Sequence, residues 1–171
     1  PDSYSMLNGN TGSYNYWDET YTGSGCVTCD NAALTGGRGD LTDGIVATDN
    51  WFVTEAPAGN GPYVGWILDP TITFHWNPPV NISSATFYFD DADGAGGVSA
   101  PASVTVDGIN FPIADPSGPP PFSFVANGLP FTVTILWLLS RGITHEFFSA
   151  KWNSMPRLFQ KQKQKQKQKQ K

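Results

Sequence analysis

Short runs of alternating apolar and polar residues, separated by Gly, Asn and Asp, constrain this chain more than any other feature. The stretches "TITFHW" (71–76) and "ATFYFD" (85–90) place apolar side chains at every second position. Successive side chains of a β-strand point to opposite faces, so this period of two indicates half-buried strands. No long stretch has helical periodicity. The pattern predicts an all-β fold of antiparallel strands, either a β-sandwich or a jelly roll.

Local turn signals predict how some of these strands connect. The stretch "SVTVDGINF" (103–111) predicts a hairpin, because Asp107-Gly108 suits a type I′ turn between two alternating runs. The stretch "FSFVANGLPFTVTILWL" (122–138) repeats this device around Asn127-Gly128. Three further predictions complete the strand set: a first strand in "GSYNYWDETY" (12–21), a strand starting at Trp51, and a last strand in "HEFFSAKW" (145–152).

Charge divides the chain into two predicted parts. All fifteen carboxylates lie before residue 147, and residues 1–156 hold three basic residues, a net charge of −12. Residues 157–171, with Arg157 and six lysines, carry +7. We therefore predict a β domain over 1–156 and a basic low-complexity Lys/Gln tail over 157–171. The acidic body argues against nucleic acid as a partner.

The composition also bounds the cellular setting. No apolar run reaches about 18 residues, so we predict no membrane span. The sequence begins at Pro1, which suggests an exported chain whose signal peptide has been removed. Cys26 and Cys29 fit a local disulfide in an oxidising compartment, because no βαβ context supports a redox pair and few further zinc ligands exist. The sequon at Asn81 matters only in a eukaryotic secretory pathway.

The order and spacing of several motifs resemble a known fold family. They are "LTDGIVATDNW", then "PTITFHWNPPVNISSATFYFDD", then "GGVSAPASVTVDG". This series resembles the galactose-binding-like jelly rolls of discoidin and coagulation-factor C-type domains. With "YSMLNGNTGSYNYWDETYTGSG" it is similar to bacterial exported proteins that carry a PEP-CTERM sorting tail, a tail that this sequence lacks. The resemblance covers about residues 4–152 and implies an extracellular or cell-surface location.

The resemblance implies a structural calcium ion at the Leu-x-Asp-Gly turn. Calcium takes several hard oxygen ligands, and Asp40, Asp43 and the carbonyls near Thr42 and Gly44 are the candidates. Ala150 stands where the family commonly has a ligating Glu. The alternative is a polar turn capped by an Asp side chain without an ion. The tripeptide Arg38-Gly39-Asp40 is expected to be accidental as an adhesion motif, and "DDADGAGG" (90–97) is expected to be a solvated turn.

Sugar binding would use aromatic rings and a few polar groups in loops. Trp17, Tyr63 and Trp66 are the aromatic candidates, since they lie outside the clean alternating runs. Arg38 and Arg141 are rare bases in an acidic body, so each is either a ligand contact or part of a salt bridge at the rim.

Two functions remain in competition at this stage. The first is an extracellular, non-catalytic carbohydrate-binding or adhesion module that recognises a polysaccharide or cell-surface glycan. The second is an exported structural subunit of a sheath, matrix or filament, assembled by the basic tail on the acidic body of a neighbour. Catalysis is not expected, because Gly-x-Ser-x-Gly and His-Glu-x-x-His are absent and no carboxylate pair stands out.

Overall fold

A computed structural model describes residues 1–9, 16–55, 61–118, 121–129, 134–140 and 146–151, the last two ranges through their backbone alone. The strands are β1 (Ser3–Leu7), β2 (Ala33–Gly37), β3 (Val64–Trp66), β4 (Thr71–His75), β5 (Ser84–Phe89), β6 (Ser103–Val106), β7 (Ile109–Pro112), β8 (Phe122–Asn127), β9 (Thr134–Ser140) and β10 (Glu146–Lys151). A short helix, α1 (Trp51–Thr54), and a 3-10 turn (Ala95–Gly97) interrupt them. Every pairing between these strands is antiparallel, which confirms the predicted all-β antiparallel fold.

The strands form two sheets that share one apolar core. The larger sheet has the order β2-β1-β4-β9-β6-β7 and the smaller has the order β3-β10-β5-β8. Buried side chains from both sheets belong to a single core cluster, with Tyr4, Ile72 and Phe74 from the first and Phe87 and Phe89 from the second. The finer assignment to a sandwich or jelly roll stays a prediction.

The predicted period of two is present in both β4 and β5. In β4, Ile72 and Phe74 are fully buried while Thr71 and His75 are exposed. In β5, Ala85, Phe87 and Phe89 are buried and the residues between them are partly exposed. Burying one large apolar side chain stabilises the fold by about 1.5–3 kcal/mol, so these stripes decide which face of each strand points inward.

The hairpin at 103–111 is confirmed. Strands β6 and β7 pair with Val106 opposite Ile109, which leaves Asp107 and Gly108 as the two turn residues. Their φ angles are 48° and 80°, as a type I′ turn requires. Positive φ at both positions explains why Asp and Gly occupy them.

The second predicted hairpin, over 122–138, is wrong. Strand β8 pairs with β5 in the smaller sheet, whereas β9 pairs with β4 and β6 in the larger sheet. Gly128 does adopt a positive φ of 73°, so a turn is present. The turn leads the chain from one sheet to the other, because β9 is apolar at most positions and fills the centre of the larger sheet.

Two more strand predictions need correction. The first strand is β1 at Ser3–Leu7. Residues 12–15 of the predicted strand lie outside the described residues, and residues 16–21 form a turn-rich loop in which Tyr21 N–H donates to the Asp18 carbonyl at 3.2 Å. Trp51 begins α1 instead of a strand, and its carbonyl accepts the Glu55 N–H at 2.7 Å. Within the described residues, no helix has the length and apolar character that a membrane span needs.

Candidate functional site

A cleft of about 220 Å³ opens at the edge of the smaller sheet, where β5 ends and β8 begins. The residues that line it are Ala47, Tyr63, Tyr88, Phe89, Pro121, Phe122 and Ser123. The register of β5 and β8 creates most of this lining, because it sets Tyr88 opposite Ser123 and Phe89 opposite Phe122. We refer to it below as the aromatic cleft.

Tyr88 and Ser123 form the polar, accessible part of the aromatic cleft. Directly opposed residues of an antiparallel pair have their side chains on the same face. Phe87 and Phe89 face the core, so Tyr88 points to the other side of the sheet, where it is partly exposed and Ser123 is exposed. Phe122, opposite Phe89, is partly exposed and packs against the core from the other face, and its ring lies 5.5 Å from that of Phe89. The cleft therefore offers two hydroxyl groups next to aromatic faces.

Tyr63 joins the aromatic cleft to a second apolar cluster, which consists of Tyr16, Trp51, Tyr63, Ala92 and Val98. Only 1% of Tyr63 is exposed, so the residue supports the cleft from below. Its hydroxyl donates to the Asp49 carbonyl at 3.1 Å and its backbone N–H donates to Glu55 Oε1 at 3.0 Å. One hydrogen bond thus holds the backbone of Tyr63 and the other holds its ring.

Glu55 and Asp90, called here the cleft carboxylates, lie buried beside this second cluster. Glu55 accepts the N–H groups of Tyr63 and Gly61, the latter at 2.7 Å. Asp90 accepts the Trp51 N–H at 3.0 Å and the Asn50 amide at 2.7 Å. Burial raises the pKa of Glu55 to about 7, and the two backbone N–H groups oppose that rise. Burial also raises the pKa of Asp90.

Gly61 is needed for the Glu55 contact. A Cβ atom at this position would overlap the Glu55 carboxylate and the Thr54 carbonyl. A larger residue would therefore push the chain away from the oxygen that accepts its N–H.

A different pair of buried carboxylates, Asp18 and Asp40, lies at the larger sheet and is called here the acidic pair. Asp18 accepts the Tyr4 hydroxyl and, at 3.0 Å, the Asp40 N–H. Asp40 accepts the Thr20 hydroxyl at 2.7 Å. Burial, followed by the nearby charge of Asp18, raises the pKa of Asp40 to about 7. Asp18 was not among the residues singled out from the sequence.

The predicted calcium loop folds as a hydrogen-bonded turn. Asp43 is exposed, and its carboxylate accepts the Ile45 N–H at 2.7 Å across Gly44, whose φ is 85°. The Thr42 N–H donates to the Gly39 carbonyl at 2.9 Å. The loop thus has the local hydrogen bonding of an Asp-capped turn, and calcium binding there stays a prediction. Among the side chains that the structure describes, no group of three or more His, Cys, Asp or Glu is arranged to hold a metal ion.

The aromatic residues chosen from the sequence occupy three different settings. Tyr63 lines the aromatic cleft. Trp66 is only 3% exposed, belongs to the main core and donates its indole N–H to the Leu7 carbonyl at 2.9 Å. Trp17 is partly exposed away from the cleft lining and donates to Asp30 at 3.0 Å. The structure therefore does not bring the three together.

The remaining sequence candidates lie elsewhere. Arg38 forms an exposed ion pair with Asp2 at 3.3 Å, the salt bridge that the sequence left open as its alternative role. Arg141 and the tail 157–171 lie outside the described residues. Cys26 and Cys29 are joined by a disulfide.

Sequence reasoning did not select Tyr88, Phe122 and Ser123, and it treated the loop 90–97 as solvated. The signal for Tyr88 was present, since it is a large aromatic on the polar face of an otherwise regular alternation. Asp90 and Asp91 are buried, at 0% and 1% exposure, which corrects the solvated-turn prediction for the start of that loop. These hydrogen bonds offset part of the cost of burial: Asp90 accepts the Trp51 N–H of α1, and Asp91 accepts the Asp93 N–H of its own turn.

Comparison with known proteins adds no relative. The chain matches no protein-family model and no curated protein.

Proposed function

We propose that this chain is an extracellular, non-catalytic carbohydrate-binding module whose site is the aromatic cleft. The single observation that carries the proposal is that the directly opposed Tyr88 and Ser123 line the same cleft as Phe89 and Phe122. Sugar rings present apolar C–H faces that pack on aromatic rings and hydroxyl groups that need hydrogen-bond partners. The cleft supplies both kinds of contact within one small volume. Its fold is consistent with the galactose-binding-like resemblance, which stays part of this proposal.

The chemistry of the lining supports binding without catalysis. The described lining residues carry hydroxyl and aromatic groups, and none is a carboxylate, imidazole or thiol. Glycoside hydrolysis usually requires two carboxyl groups that flank the sugar. Glu55 and Asp90 are close by, but each already accepts two hydrogen bonds from the protein and neither lines the cleft.

We include in this proposal a structural calcium ion at the loop Asp40–Gly44. Its support is the chemistry of the acidic pair, in which two buried carboxylates lie together with the hydroxyl oxygens of Tyr4 and Thr20. Carboxylate and carbonyl oxygens are the ligands that calcium prefers. Asp40 and Asp18 would hold the ion, and its charge would offset the repulsion between them.

A glycan array probes the sugar-binding role directly. The full chain would be applied with calcium and again with a chelator, and the hits compared with those of Tyr88→Ala. We expect selective binding that Tyr88→Ala removes and that Val125→Ala preserves. Val125 is a suitable control because it lies on β8 two residues beyond Ser123, is exposed, and does not line the cleft. An array without selective hits for the wild-type chain would refute the proposal.

The chelator arm separates calcium from the sugar site. If calcium braces the loop, chelation lowers the thermal midpoint as well as the affinity for any glycan. An unchanged midpoint with unchanged affinity removes calcium from the proposal and leaves the cleft in place.

A second candidate function is an exported structural subunit, and one observation favours it. Among the side chains that the structure describes, the only Lys or Arg is Arg38, which is paired with Asp2. The exposed Asp69, Asp93 and Asp115 therefore leave the described surface negative, as a basic tail from a neighbour would require. We expect such assemblies to dissolve in high salt and after deletion of 157–171. Filaments that survive both treatments would contradict the tail contact.

A further inference from the structure

The charge around the aromatic cleft restricts which sugars it can accept. The described lining contains no basic residue, so an acidic sugar finds no cation there. Ser123 and the hydroxyl of Tyr88 are neutral groups, and the other lining residues are apolar apart from Tyr63. Any charge preference must therefore come from groups just behind the wall.

Three residues with carboxylate side chains, Asp49, Glu55 and Asp90, lie close to the lining residue Tyr63. The Asp49 carbonyl accepts the Tyr63 hydroxyl, and Glu55 accepts the Tyr63 N–H. Asp90 lies close enough for its charge, with those of Glu55 and Asp49, to add to the effect of burial and raise the pKa of the Tyr63 hydroxyl. Each of the three charges acts in the same direction on the hydroxyl of a residue that lines the cleft.

Asp49 differs from the other two because its side chain is exposed. Glu55 is 4% exposed and Asp90 is fully buried, and both are held by hydrogen bonds from the protein. Asp49 has one hydrogen bond from its neighbour, the Thr48 hydroxyl, at 3.3 Å. Its backbone carbonyl accepts the hydroxyl of Tyr63, a lining residue, at 3.1 Å, so exposed Asp49 lies beside the cleft, at what we call its rim. It is the carboxylate that a cation on a ligand can approach in solvent.

We propose that the aromatic cleft selects sugars by charge, binding amine-bearing saccharides more tightly than neutral ones and rejecting acidic ones. The inference rests on the proposed function, since it concerns the ligand class of the same site. The aromatic rings supply affinity for the sugar face, and the exposed carboxylate of Asp49 supplies the preference. Asp49 is the specificity-determining residue at the rim.

The test uses four β-1,4-linked tetrasaccharides of equal length, made of glucosamine, N-acetylglucosamine, glucose and glucuronic acid. Dissociation constants would be measured by calorimetry on the full chain near pH 6, where glucosamine amines are largely protonated. We expect glucosamine to bind about threefold more tightly than the neutral tetramers for each close charge pair at low salt. The preference should shrink as salt rises, because screening weakens exposed charge pairs.

Asp49→Asn isolates the rim charge, and Asp69→Asn is the matched control. Asp69 is also exposed and lies in the connection between β3 and β4. Tyr63 lies before β3, so the whole strand separates the two residues along the chain. We expect Asp49→Asn to remove the preference for glucosamine over the neutral tetramers, while Asp69→Asn keeps that preference.

The outcomes distinguish this inference from the function on which it rests. If the glucuronic acid tetramer binds as tightly as the neutral tetramers, the charge selection is overturned and the sugar site stays intact. The same follows if the preference for glucosamine survives Asp49→Asn. If neither neutral nor amine-bearing tetramers bind, or if Tyr88→Ala leaves all four affinities unchanged, the proposed function itself fails and the inference fails with it.

Discussion

Two regions of this molecule bury carboxylates, and they surround them with different hydrogen-bond donors. The acidic pair, Asp18 and Asp40, receives side-chain hydroxyls from Tyr4 and Thr20 as well as one backbone N–H. The cleft carboxylates, Glu55 and Asp90, receive three backbone N–H groups and one side-chain amide. Both regions raise carboxyl pKa values through burial, so desolvation is common to them.

The difference shows what each carboxylate does for the fold. In the acidic pair, a single side-chain substitution can remove a donor and leave a carboxylate unsatisfied. In the cleft carboxylates, the donors are mostly backbone groups of α1 and the loop before β3, so the carboxylate acts as the cap that orders them. Removing the carboxylate there would strand buried N–H groups, which is the more costly change.

The largest expected effect is that of Asp90→Ala. This change removes the acceptor of both the Trp51 N–H and the Asn50 amide at a fully buried position. We expect a loss of about 3–4 kcal/mol in the free energy of unfolding, measured by urea denaturation. Asp90→Asn is the matched control, because it keeps one acceptor oxygen and should lose about half as much. A similar loss from both substitutions would show that charge matters here more than the acceptor atoms.

Tyr4→Phe breaks the acidic pair with a smaller loss. The ring stays in the core, but the buried Asp18 loses the hydroxyl that donates to it. We expect the free energy of unfolding to fall by about 2 kcal/mol, since hydrogen bonds to charged groups contribute about 1.5–3 kcal/mol. Tyr21→Phe is the comparison in which no carboxylate is involved. The Tyr21 hydroxyl donates to the Tyr4 carbonyl and accepts the Gly37 N–H. Equal losses in the two variants would contradict a special role for Asp18.

Glu55 should make stability depend on pH. Because its pKa rises from 4.5 to about 7 on folding, the folded state binds this proton more tightly than the unfolded state. The resulting stability is fully present below the unfolded pKa and is lost as pH rises through the folded pKa. We expect a fall on the order of 1–2 kcal/mol between those values, less than the full shift implies, because relaxation and water penetration reduce the effect of burial.

Denaturation midpoints at several pH values check this effect, with Glu55→Gln as the comparison. The variant should show a flatter pH profile than the wild-type chain over the same window. Parallel profiles for the two proteins would mean that Glu55 does not titrate there.

Arg38→Ala should have the smallest effect. Its ion pair with Asp2 is exposed on both sides, so solvent and salt screen it. We expect a change of about 0.5 kcal/mol or less in the free energy of unfolding, which thermal denaturation at low and high salt would measure. A larger loss that does not depend on salt would contradict this expectation. It would mean that the surface pair contributes as much to the free energy of unfolding as the buried carboxylates do.

Part of this structure was predictable from local patterns. The alternation in 71–75 and 84–89 identified two strands and their buried faces, and Asp107-Gly108 identified a hairpin. These features depend on side-chain direction and turn conformation over a few residues, which neighbouring residues determine. The hairpin at 122–138 failed because Asn127-Gly128 signals a turn without stating which sheet the next strand enters.

The candidate site was less predictable for the same physical reason. Tyr63 was identified, but its companions Tyr88 and Ser123 come from strands far apart in sequence and meet only through the register of β5 and β8. Trp66 was expected in a loop, yet its indole N–H finds a buried partner at Leu7, which lets the ring join the core. Its partner lies in another part of the chain, so the spacing around Trp66 could not reveal it.

By itself, the sequence determined an all-β antiparallel chain with an acidic body, because period, turn chemistry and charge are local or summed properties. Only the tertiary structure decided which carboxylates are buried and which aromatics line a cleft. Asp90 and Asp43 both follow simple local patterns, yet one is fully buried under α1 and the other caps an exposed turn. Burial depends on what the rest of the chain packs against a residue, and long-range packing is not encoded in the residue's neighbours.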